Sequence, residues 1–188
     1  MKRDEAKRLI ANSMLGTLSE KETTKILSEY WYYETISDVK SDIATGEIPN
    51  LSERAISVLV STDSPQNVDK REFEPLLLDM LIFRLKYSTN EYLELRLRGI
   101  GLQEIVDGQI VEAGVCPCCH YLSIDPGEDG LWDICPVCFW ENGGDGPNHM
   151  KLSDAQKNFE AYGVMDERFR DSVEPDGRAK YAKSRKLS

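Results

Sequence analysis

All five cysteines of this chain lie between Cys116 and Cys138. Four of them form two matching pairs, Cys116-Pro117-Cys118-Cys119 and Cys135-Pro136-Val137-Cys138. In each pair the two thiols stand three positions apart around a tight turn, so that both sulfurs face one point, and a proline in second place pre-sets φ for that turn. Two such knuckles facing each other predict a tetrahedral cage of Cys116, Cys119, Cys135 and Cys138, suited to one structural Zn²⁺ or, less often, iron. With every position taken by a protein thiolate, no place remains for a water or a substrate, so a catalytic metal is not expected. An odd count of cysteines, the adjacency of Cys118 and Cys119, and the opening Met1-Lys2-Arg3-Asp4, which starts no apolar export run, all count against a disulfide framework. The expected compartment is therefore the cytoplasm, where thiols stay reduced. Cys118 is left over as an exposed bystander, an exchangeable ligand or a redox handle. The first reading is favoured, because a reactive thiol needs a lowered pKa.

Something must hold the knuckles face to face. Between them, His120 to Ile124 and Leu131 to Ile134 are β-prone runs flanking the turn Asp125-Pro126-Gly127-Glu128-Asp129-Gly130, which predicts a hairpin and hence a zinc ribbon. Tyr121, Trp132, Phe139 and Trp140 are the expected cover for the metal, since so small a core needs the ion to fold. A two-residue hairpin is also expected at Glu104-Ile105-Val106, Asp107-Gly108 and Gln109-Ile110-Val111. Ser153-Asp154-Ala155-Gln156 is read as the cap of a helix that carries Phe159 and ends at Gly163.

The first hundred residues have helical periodicity. Ala6, Leu9, Ile10 and Met14 mark one stripe, and Ser19 to Glu22 is a capping box ahead of Ile26, Leu27, Tyr30 and Trp31. Ile36, Val39 and Ile43 continue at helical spacing, Ser52 caps a further helix, and Leu76 to Phe83, after a break at Asp63-Ser64-Pro65, forms the central one. Ser88-Thr89-Asn90-Glu91 is read as a second capping box. The fold class is thus α+β. It comprises an α-helical domain over 1–103, a four-cysteine ribbon with its following helix over 104–165, and a segment over 166–188 ending in a basic tail of Arg178, Lys180, Lys183, Arg185 and Lys186. No apolar run approaches the roughly 20 residues of a membrane span, so no membrane partner is expected.

Charge narrows the partners. The chain carries 23 basic and 33 acidic residues, a net of −10. From Ala113 to Met150 there is no Lys or Arg, and there are six acids, Asp125, Glu128, Asp129, Asp133, Glu141 and Asp145. Nucleic-acid binding needs cations along the phosphates, so this field has the wrong sign. A basic protein is the expected partner, with Asp125, Glu128, Asp129, Glu141 and Asp145 as candidate contacts. Catalysis finds no support. His120 and His149 sit in no nucleophile or base arrangement, and Gly143, Gly144 and Gly146 lack the strand and lysine of a phosphate-cradling loop.

Cys116-Pro117-Cys118-Cys119-His120-Tyr121, Asp133-Ile134-Cys135-Pro136-Val137-Cys138-Phe139-Trp140-Glu141 and Gly146-Pro147-Asn148-His149, with Ala155 and Asn158-Phe159 downstream, resemble the bacterial cysteine-rich CPCC domain. The resemblance covers roughly 114 to 163 and departs at His120, where that family usually has Gly. The helical part ending near Tyr92 to Leu97 is similar to what precedes the domain in some members. Some proteins of this kind look like immunity proteins encoded beside secreted toxins. The resemblance therefore implies a non-catalytic immunity protein neutralising a cognate toxin. A regulatory or nucleic-acid-associated zinc ribbon, or a metal-stabilised adaptor, stands as the alternative.

Overall fold

A computed structural model describes residues 1–61 and 69–184, so the expected break at Asp63-Ser64-Pro65 and the basic residues Arg185 and Lys186 lie outside the described residues. The chain forms two compact units: Asp4–Leu85 with Ile100–Leu102, and Met1–Arg3 with Lys86–Gly99 and the chain from Gln103 onward.

The first unit is helical: α1 (Arg3–Thr17, from Asp4 on), α2 (Glu20–Ser28), α3 (Ile36–Thr45), α4 (Glu53–Ser61) and α5 (Glu74–Phe83). Its core gathers Leu15, Ile26, Leu27, Val39, Ile56, Phe73, Leu76, Leu77 and Leu81, from apolar positions that recur at helical spacing. The capping box at Ser19 forms as read: the Glu22 N–H donates to the Ser19 hydroxyl at 3.3 Å and the Ser19 N–H to the Glu22 carboxylate at 2.9 Å. A second reciprocal box, Thr35 with Asp38, opens α3, and Gly46 ends it in the left-handed region at φ 80°. Ser52 accepts from the Ala55 N–H at 3.1 Å, capping α4.

The second unit opens with α6 (Asn90–Gly99), whose cap is not the residue expected. Thr89 accepts from the Tyr92 N–H at 3.1 Å, while Ser88 is fully buried one position earlier. The hairpin expected over 104–111 is absent. The reason is competition: the Asp107 N–H donates to the Met1 carbonyl at 2.9 Å and its carbonyl accepts from the Arg3 N–H at 3.2 Å, so the first residues of the chain take the edge that a hairpin partner would need. The two strands are β1 (Gly114–Val115) and β2 (Leu122–Ile124), antiparallel, with Gly114 opposite Ile124. β2 therefore pairs across the first knuckle, not with 131–134 as expected. The intervening segment folds into a 3₁₀ turn over Gly127–Gly130, and the Asp133 carboxylate accepts the Asp125 N–H at 2.8 Å, a side-chain tie in place of a ladder. The second knuckle closes on itself through an Ile134–Glu141 bridge. Then follow α7 (Asp145–Asn148), α8 (Leu152–Tyr162) and α9 (Gly177–Lys180). Ser153 does not cap α8: the Asp145 carboxylate, seven residues upstream, accepts the Leu152 N–H at 2.9 Å, and Gly163 at φ 85° ends the helix as read.

Residues 180–184, the described end of the basic segment, are tied down by backbone hydrogen bonds. The Thr89 N–H donates to the Lys180 carbonyl at 2.8 Å, the Leu122 N–H to Ala182 at 2.9 Å and the Ser184 N–H to His120 at 2.8 Å, so residues 180–184 run as a short strap past the start of α6 and along the first knuckle.

Candidate metal centre

The two knuckles are built alike. The His120 N–H donates to the Cys116 carbonyl at 2.9 Å and the Phe139 N–H to the Cys135 carbonyl at 2.8 Å. The Cys116 N–H then pairs with the Tyr121 carbonyl and the Cys135 N–H with Trp140, both at 2.9 Å. His120 and Phe139 occupy equivalent places, and both are forced into the left-handed region, at φ 63° and 70°. Each costs about 1–2 kcal/mol relative to a relaxed residue, a strain the surrounding pairing must hold.

This architecture brings together the sulfurs of Cys116, Cys119, Cys135 and Cys138, all within 4.8 Å of one another and all buried. The Cys116–Cys138 and Cys119–Cys135 separations are both 3.6 Å. Tetrahedral thiolate coordination with bonds of about 2.3 Å puts sulfurs about 3.8 Å apart, whereas a disulfide needs about 2.05 Å, so the spacing fits a shared ion and not a bridge. Packing four sulfurs this closely splits their proton affinities. Hydrogen bonds to Cys116 and its neighbours hold the Cys119 and Cys138 thiols up. Cys135 is held down: burial opposes this, but hydrogen bonds from Cys116, Cys119, Cys138 and Ser123 outweigh it. The Val137 N–H and the Ser123 hydroxyl reach its sulfur at 3.4 and 3.2 Å. A cation held by these four sulfurs would let all of them ionise together.

The aromatic cover differs in one member. Trp140 is 1% exposed, Tyr121 meets Phe159 edge-on at 6.4 Å and Phe139 stacks on Phe169 at 4.4 Å. Trp132, expected among them, is 58% exposed. Its φ of 76° turns it over Gly143, where a Cβ would lie 2.2 Å from the indole ring. Cys118 also departs from expectation, being 2% exposed. Helix α8 lies over the first knuckle, with the Gln156 amide donating to the Pro117 carbonyl at 2.9 Å, and the Cys118 thiol packs into the core beside it. Neither His120 nor His149 joins the sulfur cluster, and His149 ends α7 at φ 51°.

The five acidic candidates have different surroundings. Glu128 and Asp129 are exposed on the 3₁₀ turn, Asp145 is exposed at the start of α7, and Glu141 is half-buried. Asp125, read as uncompensated, is paired: Lys86 approaches at 3.0 Å and the Tyr87 hydroxyl donates to the same oxygen. That Tyr87 hydrogen bond, with the Lys86 ammonium behind it, holds the Asp125 carboxyl below the usual range. The compensating cation lies outside the 113–150 stretch, which is why a local charge count misses it. Asn148 was quoted only as part of a motif, yet its side chain accepts the Glu141 N–H at 2.9 Å and donates to the Glu141 and Gly144 carbonyls at 2.8 and 2.6 Å, clamping the exit of the second knuckle.

The fold and site thus define a metal-binding domain held by four buried cysteines. Residues 114–179 match the family described as cysteine-rich CPCC, a span that takes in α8 and reaches into α9. No curated protein and no solved structure matches the chain. Among the described residues no helix is long and apolar enough to cross a membrane.

Proposed function

We propose that this is a non-catalytic, zinc-stabilised binding protein of the cytoplasm whose partner is a basic protein, in its sharpest form an immunity protein neutralising a bacterial toxin. The observation that carries the reading is an apolar strip on the second knuckle: Leu131, Trp132 and Ile134 are 52%, 58% and 51% exposed. They sit within the stretch 113–150 that has six acids and no Lys or Arg. An exposed Trp in an acid-rich stretch has the composition of an interface anchor, with the exposed Glu128, Asp129 and Asp145 steering a cationic partner. An all-thiolate donor set suits Zn²⁺ and, filled on all four sides, favours a folding role over a catalytic one. The free thiols are in keeping with a reducing compartment.

The test is co-expression with any basic toxin candidate found encoded beside this gene. Protection that is lost in Trp132→Ala and in the double variant Glu128→Gln, Asp129→Asn, with metal content unchanged, supports the reading. Full protection by both variants places the contact elsewhere, and absence of any binding removes the immunity role in favour of a metal-stabilised adaptor.

A further inference from the structure

The geometry points to a second ligand site, a cleft beside the first knuckle that takes a small oxyanion, phosphate or carboxylate. The cleft has a volume of about 520 Å³, and its lining includes Cys118, His120, Gln156, Glu160, Arg178 and Lys183. That volume lies within the range of small-molecule sites. Two cations face it. The Arg178 guanidinium stands 4.8 Å above the Phe159 ring and the Lys183 ammonium 5.7 Å from the Tyr121 ring. Neither is ion-paired among the described residues, and Glu160, on the same lining, forms no bridge to either.

Several cations of this unit hold a carboxylate, Lys2, Lys86, Arg96 and Lys180 at 2.9, 3.0, 3.2 and 2.7 Å, while Arg98 and Lys151, like Arg178 and Lys183, form no ion pair among the described residues. What sets Arg178 and Lys183 apart is that they line one cleft, where their donors are open to a ligand. Arg178 is also held in place. Gly163 has no side chain where the guanidinium lies, since a Cβ there would fall 2.7 Å from Nη2, so the group rests between a helix-ending glycine and an aromatic face. A stacked guanidinium loses little further freedom on binding and keeps its N–H edge for a planar or tetrahedral oxyanion. Lys183 is fixed by the backbone strap, through the bridge between Tyr121 and Lys183.

A rival origin for the same two cations is compensation of the metal–thiolate centre, which carries a net charge of roughly −2 with a divalent ion. The experiment separates the two. The metal-loaded full chain is titrated with inorganic phosphate and, in a parallel arm, with succinate, at constant ionic strength set by sodium chloride, while backbone amide signals are followed by NMR. Saturable shifts at His120, Gly163, Lys183 and Ser184 are expected with at least one of these anions and not with chloride, and the tighter arm identifies the oxyanion. Arg178→Gln should weaken binding about 10-fold or more, the cost of a lost charge-assisted hydrogen bond. Arg178→Lys should fall between, and metal content should hold in both. Three results overturn the site: no saturation in either arm, equal affinity in Arg178→Gln and Lys183→Gln, or loss of metal in those variants without any anion effect. Binding of a short single-stranded oligonucleotide far more tightly than either small anion also overturns it, replacing a small-ligand cleft with a nucleic-acid surface.

Discussion

Replacing Cys135 with Ser removes one of four thiolates while nearly preserving volume. A structural zinc contributes an apparent 10–16 kcal/mol, so one ligand accounts for roughly 3–4 kcal/mol if the four share it evenly. The Cys135 sulfur also accepts from the Val137 N–H and the Ser123 hydroxyl. A weakened pair of such bonds adds about 1 kcal/mol. A loss of about 5 kcal/mol rivals the entire stability of many domains, which is 5–15 kcal/mol. The cysteine-bearing unit should therefore melt far earlier or not fold. Helices α2 to α5 lie in the other unit, so most of the far-ultraviolet helical signal should survive. Metal analysis gives the stoichiometry, expected at one ion per chain for the natural protein and well below one for the variant. Tryptophan fluorescence reports the local state, because Trp140, 1% exposed beside the cluster, should become solvated. Cys118→Ala is the matched control: it empties a small buried volume, costs about 1 kcal/mol, and keeps the metal. Retention of a full equivalent of metal and an unchanged melting curve in Cys135→Ser, or loss of metal in Cys118→Ala, would refute the assignment of ligands.

Three further outcomes follow from hydrogen bonds and burial. Burial pushes the Tyr30 phenol up to about 12, so its stabilisation is complete below the unfolded value near 10 and is lost as pH rises towards 12; Tyr30→Phe should flatten that alkaline limb by about 2–3 kcal/mol in circular dichroism melts, with Tyr33, Tyr87, Tyr92 and Tyr181, whose phenols burial also raises, supplying the slope that remains. Tyr87→Phe should cost about 1–2 kcal/mol and raise the Asp125 carboxyl pKa, read by carbon NMR. The sign follows because a depressed carboxyl stabilises above about pH 4 and loses that contribution as pH falls through its folded value. Asn148→Ala removes three hydrogen bonds at the exit of the second knuckle and should lower stability by about 1–2 kcal/mol in thermal melts, with metal content intact at neutral pH.

What sequence revealed and what it hid divide by range. The knuckles were legible because their geometry is written within four residues: Cys-Pro-x-Cys fixes where both sulfurs point. The Ser19–Glu22 box and the Gly163 stop are equally local, an i, i+3 exchange and a single left-handed residue. The features that were missed depend on partners far along the chain. Glu104 to Val111 has a hairpin pattern, yet Met1 and Arg3, from the opposite end, take the Asp107 backbone. Asp125 seemed uncompensated because Lys86 and Tyr87 lie nearly forty residues earlier. Trp132 was read as cover on residue type alone, but its positive φ, possible because Gly143 leaves room beneath the ring, turns it outward. Ser88 and Thr89 show the limit even of local rules. Two hydroxyls compete for one cap, and burial of the first leaves the second to take it.

The strap over 180–184 bears on when, not only how, this unit folds. It closes contacts back to Thr89 and to the His120–Leu122 edge, so the first knuckle gains its outer backbone partner only from residues translated long after its own cysteines. Non-local closure of that kind is slow, because the loop entropy is lost before the contacts reward it. Ions that reach Cys116 and Cys119 early meet half a cage with an unpaired edge, open to exchange and to pairing with other chains. Tight loading should then be a late kinetic phase. Refolding followed by metal uptake would show a lag that a chain truncated before Lys180 never resolves.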